Sequence, residues 1–338
     1  MVDMSIRRHI AVLCCAGLAL AIVACGRPAA VDPFRLAPVP IASVKPMHGG
    51  SSLAPIRLTV HADTLWVCYK SLPLIEAWAL DHPDSIRRVA SVGLTDPVSV
   101  VPSSLVVGDS SFVVTDHGRG AVVEFGRDGR VRQSFDSLPD GQTGLSPLAV
   151  DEFQGVLYVA DIAVRRILAI ALREGRGVRE SGELILTIPH DETGPLGFPS
   201  AVYVTPDGRL LVGDAKAGGV EVYTCDGRAI YKFDAVPDLV GMAAQGFAQD
   251  TVIDPSQQDE HSADPSGIRN QGRVHVADSV NRMIHVYGAL GSYVLSYPQD
   301  SSLTGPSDVA VHAASRRVFV ADPGSGRIVI YRYEDGGV

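Results

Sequence analysis

Cysteine is scarce in this chain, aromatic residues are few, and basic residues are outnumbered. The 338 residues hold five cysteines, two tryptophans and 6% aromatics. Five cysteines over this length exclude a disulfide framework. Lysine and arginine number 29 against 38 aspartates and glutamates, for a net charge of −9. That balance excludes nucleic-acid binding over a broad basic face. Nor does the chain contain a G-x-S-x-G elbow, a phosphate-binding P-loop, an H-E-x-x-H pair or a G-x-G-x-x-G turn. With 46% hydrophobic and 20% charged residues, wholesale disorder is excluded as well.

Glycine and proline are plentiful, at 34 and 22 residues. Such density opposes a helical bundle and favours many short elements joined by tight turns.

The one long apolar run is Ile10 to Val23, preceded by Arg7 and Arg8. It is too short for a comfortable membrane span and has the length of a signal-peptide core. The run ends in Ile22-Val23-Ala24-Cys25-Gly26. These residues resemble the bacterial lipobox, which implies cleavage before Cys25 and lipidation of its thiol. A lipid there would hold a folded domain at a membrane without a transmembrane helix. Residues 25–38 then serve as the lipidated cysteine and a Pro/Ala-rich tether. The expected location is the bacterial cell envelope, with Gly26 favouring the outer membrane or a periplasm-facing site. Without residues 1–24, 27 bases face 37 acids, and Cys25, Cys68 and Cys225 are the remaining cysteines.

The rest of the chain is organised by a repeat. Its clearest copies are Val156-Leu157-Tyr158-Val159-Ala160-Asp161, Leu210-Leu211-Val212-Gly213-Asp214, Val274-His275-Val276-Ala277-Asp278 and Val318-Phe319-Val320-Ala321-Asp322. Phe112 to Asp116 is a fifth, and Leu65 to Tyr69 a sixth with Tyr69 in place of the aspartate. Each reads as a β-strand ending in a turn. A second strand follows, often opened by arginine (Arg166, Arg282, Arg327), and then a glycine turn and a third strand. Pro55, Pro102, Pro147, Pro199 and Pro306 precede the turn residue by 14, 14, 14, 15 and 16 positions. The fifth unit lacks this proline and is expected to start near Phe247, with an insertion at 256–271.

Six units of four antiparallel strands cannot stand singly, but arranged radially they bury one another's faces. The V-x-V-A-D…R-I pattern resembles the NHL repeat. The resemblance implies an all-β, six-bladed β-propeller over residues 39–338. The last unit lacks an outer strand. Ile41-Ala42-Ser43-Val44 resembles the outer strand Val89-Ala90-Ser91-Val92 of blade one and is expected to complete it. In such a ring Cys68 and Cys225 lie in opposite blades, too far apart to bridge.

Candidate binding residues follow from this geometry. The turns between second and third strands should ring one channel mouth with Lys70, His117, Arg119, Arg165, Arg166, Lys216, Asn281, Arg282 and Arg327. They make a cationic rim for an anionic ligand, or else recur to support the hairpins. Two residues past each blade-opening proline, the inner strand should face the channel with Arg57, Ser104, Ala149, Ala201, Gln249 and Asp308. Arg57 and Asp308, from adjacent blades, would pair or flank a polar ligand. At the other mouth His61, Asp254 and His312 could ligate a metal, or hold ordinary turn positions. No cofactor is otherwise expected. The leading expectation is a monomeric, non-enzymatic scaffold for a protein, peptide or glycan. The alternative is a metal-dependent propeller lyase or lactonase-type hydrolase.

Overall fold

The computed structural model describes residues 37–94, 100–137, 144–172, 183–189, 195–235, 239–245, 272–298 and 300–333. They form six four-stranded antiparallel sheets around an axis, a six-bladed β-propeller. A single 3-10 turn, Ala313–Ser315, is the one helical element among them.

The inner strands are Pro55–His61, Ser104–Val107, Pro147–Phe153, Pro199–Val204, Leu239–Gln245 and Asp308–His312. Each inner strand contacts the inner strands of both neighbours, which closes the ring. Each second strand is short and almost wholly buried, as in Val156–Asp161 and Arg317–Asp322. Burial on both faces explains why these strands read as continuous apolar runs. The core is divided accordingly. Six apolar clusters form, one in each gap between blades, such as Leu58, Val67, Phe319 and Ile330 between blades one and six.

The N-terminal strand Val39–Val44 completes blade six by pairing with Arg327–Arg332. Its register reproduces that of blade one. Val44, Ser43 and Ala42 pair with Ile328, Val329 and Ile330, as Val92, Ser91 and Ala90 pair with Ile75, Glu76 and Ala77. In both strands the next residue, Ile41 or Val89, bulges out of the ladder. The outer strands of blades two to five carry a register shift at the matching place. A bulge adds local twist, and here it recurs once per blade.

The structure corrects the placement of blade five. Its inner strand is Leu239–Gln245, not a segment starting near Phe247. Leu239 takes the proline's place, paired with Asp278 as Pro147 is with Asp161 and Pro199 with Asp214. Without the proline the start of the strand could not be read. The channel position therefore belongs to Gly241, not Gln249. A Cβ at Gly241 would lie 2.4 Å from Asp308 Oδ1 and 2.7 Å from the Ser307 carbonyl, so close blade approach demands glycine here. Gln249, Asp254 and the insertion 256–271 lie outside the described residues, as does Cys25. Cys68 and Cys225 are free thiols. Burial pushes the Cys68 thiol up to about 12, which keeps it protonated and unreactive.

Candidate functional site

One face of the ring carries the turns between second and third strands, together with the loops that lead into the inner strands. We call it the turn face, and the opposite one the hairpin face. The repeated aspartates sit just below the turn face, fully buried. Asp161 accepts hydrogen bonds from the backbone N–H groups of Ser146, Ala163 and Val164 at 2.7, 2.9 and 3.1 Å. Asp214 accepts from Phe198, Lys216 and Ala217, and Asp116 from Val101 and Arg119. Each carboxylate thus fastens its own turn to the incoming loop. Blade one has Tyr69 in this place, and its hydroxyl instead donates to buried Glu76 of the third strand at 2.6 Å. Glu76 in turn accepts from Arg88 at 2.7 Å.

The turn cations point the other way. Lys70, His117, Arg119, Lys216 and Arg282 lie on four different blades, and all are exposed. His117 Nδ1 lies 2.9 Å from Ser146 Oγ. Arg165 and Arg327 are half-buried. Arg165 donates to the Leu196 carbonyl at 2.7 Å, and Arg327 to Ser325 Oγ at 3.1 Å.

Register separates two groups of arginines that the sequence aligns in one slot. Arg166 and Arg327 pair with Asp161 and Asp322 and open a strand, whereas in blade five the equivalent residue is Met283. Arg282 belongs one position earlier, with Arg165, at the last residue of the turn. Both adopt positive φ, 57° and 60°. Blades two, four and six place Gly120, Gly218 and Gly326 at this slot. A bulky residue there is strained relative to glycine. The arginines in blades three and five therefore stand where folding alone favours glycine. The four-residue spacing after Asp161 and Asp278 is the sequence signal for this.

The six inner strands enclose a central cavity of about 330 Å³. Arg57 closes it at the turn face. Its guanidinium donates to the carbonyls of Ser103, Val240 and Ser307 at 2.9, 2.7 and 2.8 Å, in three other blades. Asp308 Oδ1 lies 3.9 Å away, and Asp308 Oδ2 accepts the Leu58 N–H at 2.8 Å. Arg57 and Asp308 are therefore an ion pair within a plug that ties blades together. Burial raises the Asp308 carboxyl to about 6 despite the Arg57 charge.

Deeper in the channel, Asp151 accepts the N–H groups of Val204 at 2.7 Å and Glu152 at 2.9 Å, joining blades three and four. Part of its surface is accessible through the cavity, but its depth in the ring governs its protonation. Burial pushes it up to about 7.

Carboxyls raised above the ordinary value near 3.9 leave the folded state with more bound protons than the unfolded state. The stabilisation from Asp151 is thus full below about pH 4 and fades as pH rises through 7. Calorimetric melting of Asp151→Asn against pH should show a smaller fall between pH 5 and 8 than the parent. Parallel curves would contradict this assignment.

At the hairpin face His61 and His312 have separate partners. His61 Nε2 lies 3.1 Å from Asp109, and His312 Nε2 lies 3.3 Å from Asp63. Burial lowers the His312 imidazole. Among the described residues no group of three His, Cys, Asp or Glu is placed to hold a metal ion.

No family model matches the chain. Among curated proteins, a histidinol dehydrogenase of Cupriavidus pinatubonensis is 24% identical over 214 residues, 61% of this chain. The match spans 43% of that protein's length. Solved structures show the fold more fully. A catalytically inactive virginiamycin B lyase from Staphylococcus aureus, with quinupristin, has a TM-score of 0.55 at 13% identity. It matches 87% of this chain and 89% of its own. A selenomethionine form of the S. aureus virginiamycin B lyase gives 0.52 at 14% identity, over 83% and 81% of the two chains. A streptogramin B lyase gives 0.54 at 14%, over 86% and 87%. The shared property is the six-bladed propeller.

Proposed function

We propose that this protein is a lipid-anchored NHL-type propeller of the bacterial cell envelope. In this reading its turn face binds an anionic protein, peptide or glycan. The observation that carries it is the sorting of charge on that face. The turn aspartates are spent inward on backbone N–H groups, while Lys70, His117, Arg119 and Arg282 project outward. The result is a local cationic rim on a chain whose net charge is −9. With Arg57 closing the channel at this end, the face offers a surface rather than a tunnel. Two arginines retained at positive φ point the same way. The anchor rests on Cys25 and its lipobox-like surroundings. Among the described residues no helix is long and apolar enough to cross a membrane.

The test is retention of the full chain, in mild detergent, on a sulfated-glycan column. Salt-sensitive retention is expected, with Arg119→Ala/Arg282→Ala weakening binding about tenfold. Unchanged retention in the double variant would overturn the reading.

The lyase fold of the structural neighbours supports a second reading, a metal-dependent lyase or hydrolase. It requires stoichiometric metal by elemental analysis, lost in His61→Ala or His312→Ala.

A further inference from the structure

The central channel has features the turn face does not explain. Its volume, about 330 Å³, falls in the range of small-molecule sites and is too small for a folded partner. Aliphatic residues such as Val106, Ala149 and Ala310 share its wall with polar groups, which make up the larger part of the accessible surface. Arg57 closes the turn-face end, so access is from the hairpin face, where His61 and Glu152 line the cavity.

The charged groups facing this space are Arg57, His61, Asp151, Glu152 and Asp308. Three of them are committed. Arg57 is spent on three carbonyls and Asp308, and Asp308 on Arg57 and the Leu58 N–H. His61 engages Asp109. Glu152 accepts the neutral Gly155 N–H at 2.6 Å near the exposed hairpin end, and Asp151 lies deeper. Both of its bonds come from neutral backbone donors, and no ion pair of Asp151 occurs among the described residues. A carboxylate deep in a channel of this volume is stabilised by a cation small enough to enter it.

We propose that the channel binds a small organic monocation, an amine whose ammonium pairs with Asp151 while the rest of the molecule fills the cavity. This site is separate from the turn face in position, charge and ligand class.

The linkage follows from chemistry already described. Asp151 holds a proton up to about pH 7, so it must release that proton to pair with an ammonium group. Binding below pH 7 then releases a proton, and affinity rises about tenfold between pH 6 and pH 8. Asp308, near 6, also titrates in this window, but it already has Arg57 as its counter-charge.

The experiment is isothermal titration of the full chain with benzylammonium, cyclohexylammonium and choline. Benzyl alcohol and benzoate serve as neutral and anionic controls. Runs at pH 6 and pH 8, in buffers of different ionisation enthalpy, count the protons released. We expect saturable one-to-one binding by at least one cation, tighter at pH 8, with no binding of the controls. Asp151→Asn should abolish it, and Arg119→Ala/Arg282→Ala should leave it unchanged, which separates this site from the turn face. Absence of saturable binding by all three cations at millimolar concentration would overturn the proposal. So would equal binding of the controls, or affinity independent of pH. The wild-type charge series and pH series decide the matter even if Asp151→Asn misfolds.

Discussion

Removing Val39–Val44 lowers the melting temperature by about 10 °C or more. The segment supplies the outer strand of blade six, hydrogen-bonded along Ile328–Arg332. Without it, the Arg327–Arg332 strand becomes an open edge. Ile41, Ala42 and Val44 also pack on the cluster shared by blades six and one. Each backbone bond contributes about 1 kcal/mol net, and each aliphatic side chain up to about 2 kcal/mol. Together they approach the whole stability of a typical domain, roughly 5–15 kcal/mol. The loss falls at the seam where the ring has no covalent continuity, so the two blades at the closure separate first. Differential scanning calorimetry of the deletion variant measures this, and a melting curve within a degree or two of the parent would show that the clasp is dispensable. Ile41→Asp should give a smaller loss in the same direction, because it keeps the ladder and removes one apolar contact.

Arg57→Met destabilises the ring from its centre. The substitution strips three carbonyls, of Ser103, Val240 and Ser307, of a donor and leaves Asp308 buried without a cation. Removing one partner of a buried ion pair costs about 3–5 kcal/mol. For a ring of this size that corresponds to roughly 5–8 °C. The sign of its pH dependence follows from Asp308. Loss of the Arg57 charge raises its carboxyl further above the ordinary range. The variant is therefore weakest at alkaline pH and recovers as pH falls and Asp308 takes up its proton. Arg57→Met/Asp308→Asn should regain part of the loss at pH 8. Melting curves at pH 5 and 8 for the three proteins decide it. A single variant that melts with the parent at pH 8 would mean the guanidinium is not structural.

Much of the fold was legible because its punctuation is local. A proline before an inner strand, an aspartate closing a second strand and a glycine in a hairpin each act over a few residues. Where the punctuation failed, so did the reading. Blade five has Leu239 in the proline's place and a long stretch before its second strand, and its start was misplaced by eight residues at the channel position, from Gly241 to Gln249. The arginines show a subtler limit. Arg282 and Arg327 look equivalent by their place after an aspartate, yet a one-residue offset puts Arg282 in the turn and Arg327 in the strand.

The sequence by itself determined that the chain is an all-β ring of six repeats, and that residues near Ile41 close it. Those properties depend on period, turn chemistry and strand count, all of which are written along one dimension. Only the tertiary structure decided which polar groups are spent and which remain. Asp161 and Asp151 both belong to blade three, but the first is absorbed by three backbone donors of its own turn and loop. The second stands in the channel with no counter-charge among the described residues. The difference arises because hydrogen-bond partners come from neighbouring blades some 50 residues away, and a local pattern cannot carry that distance.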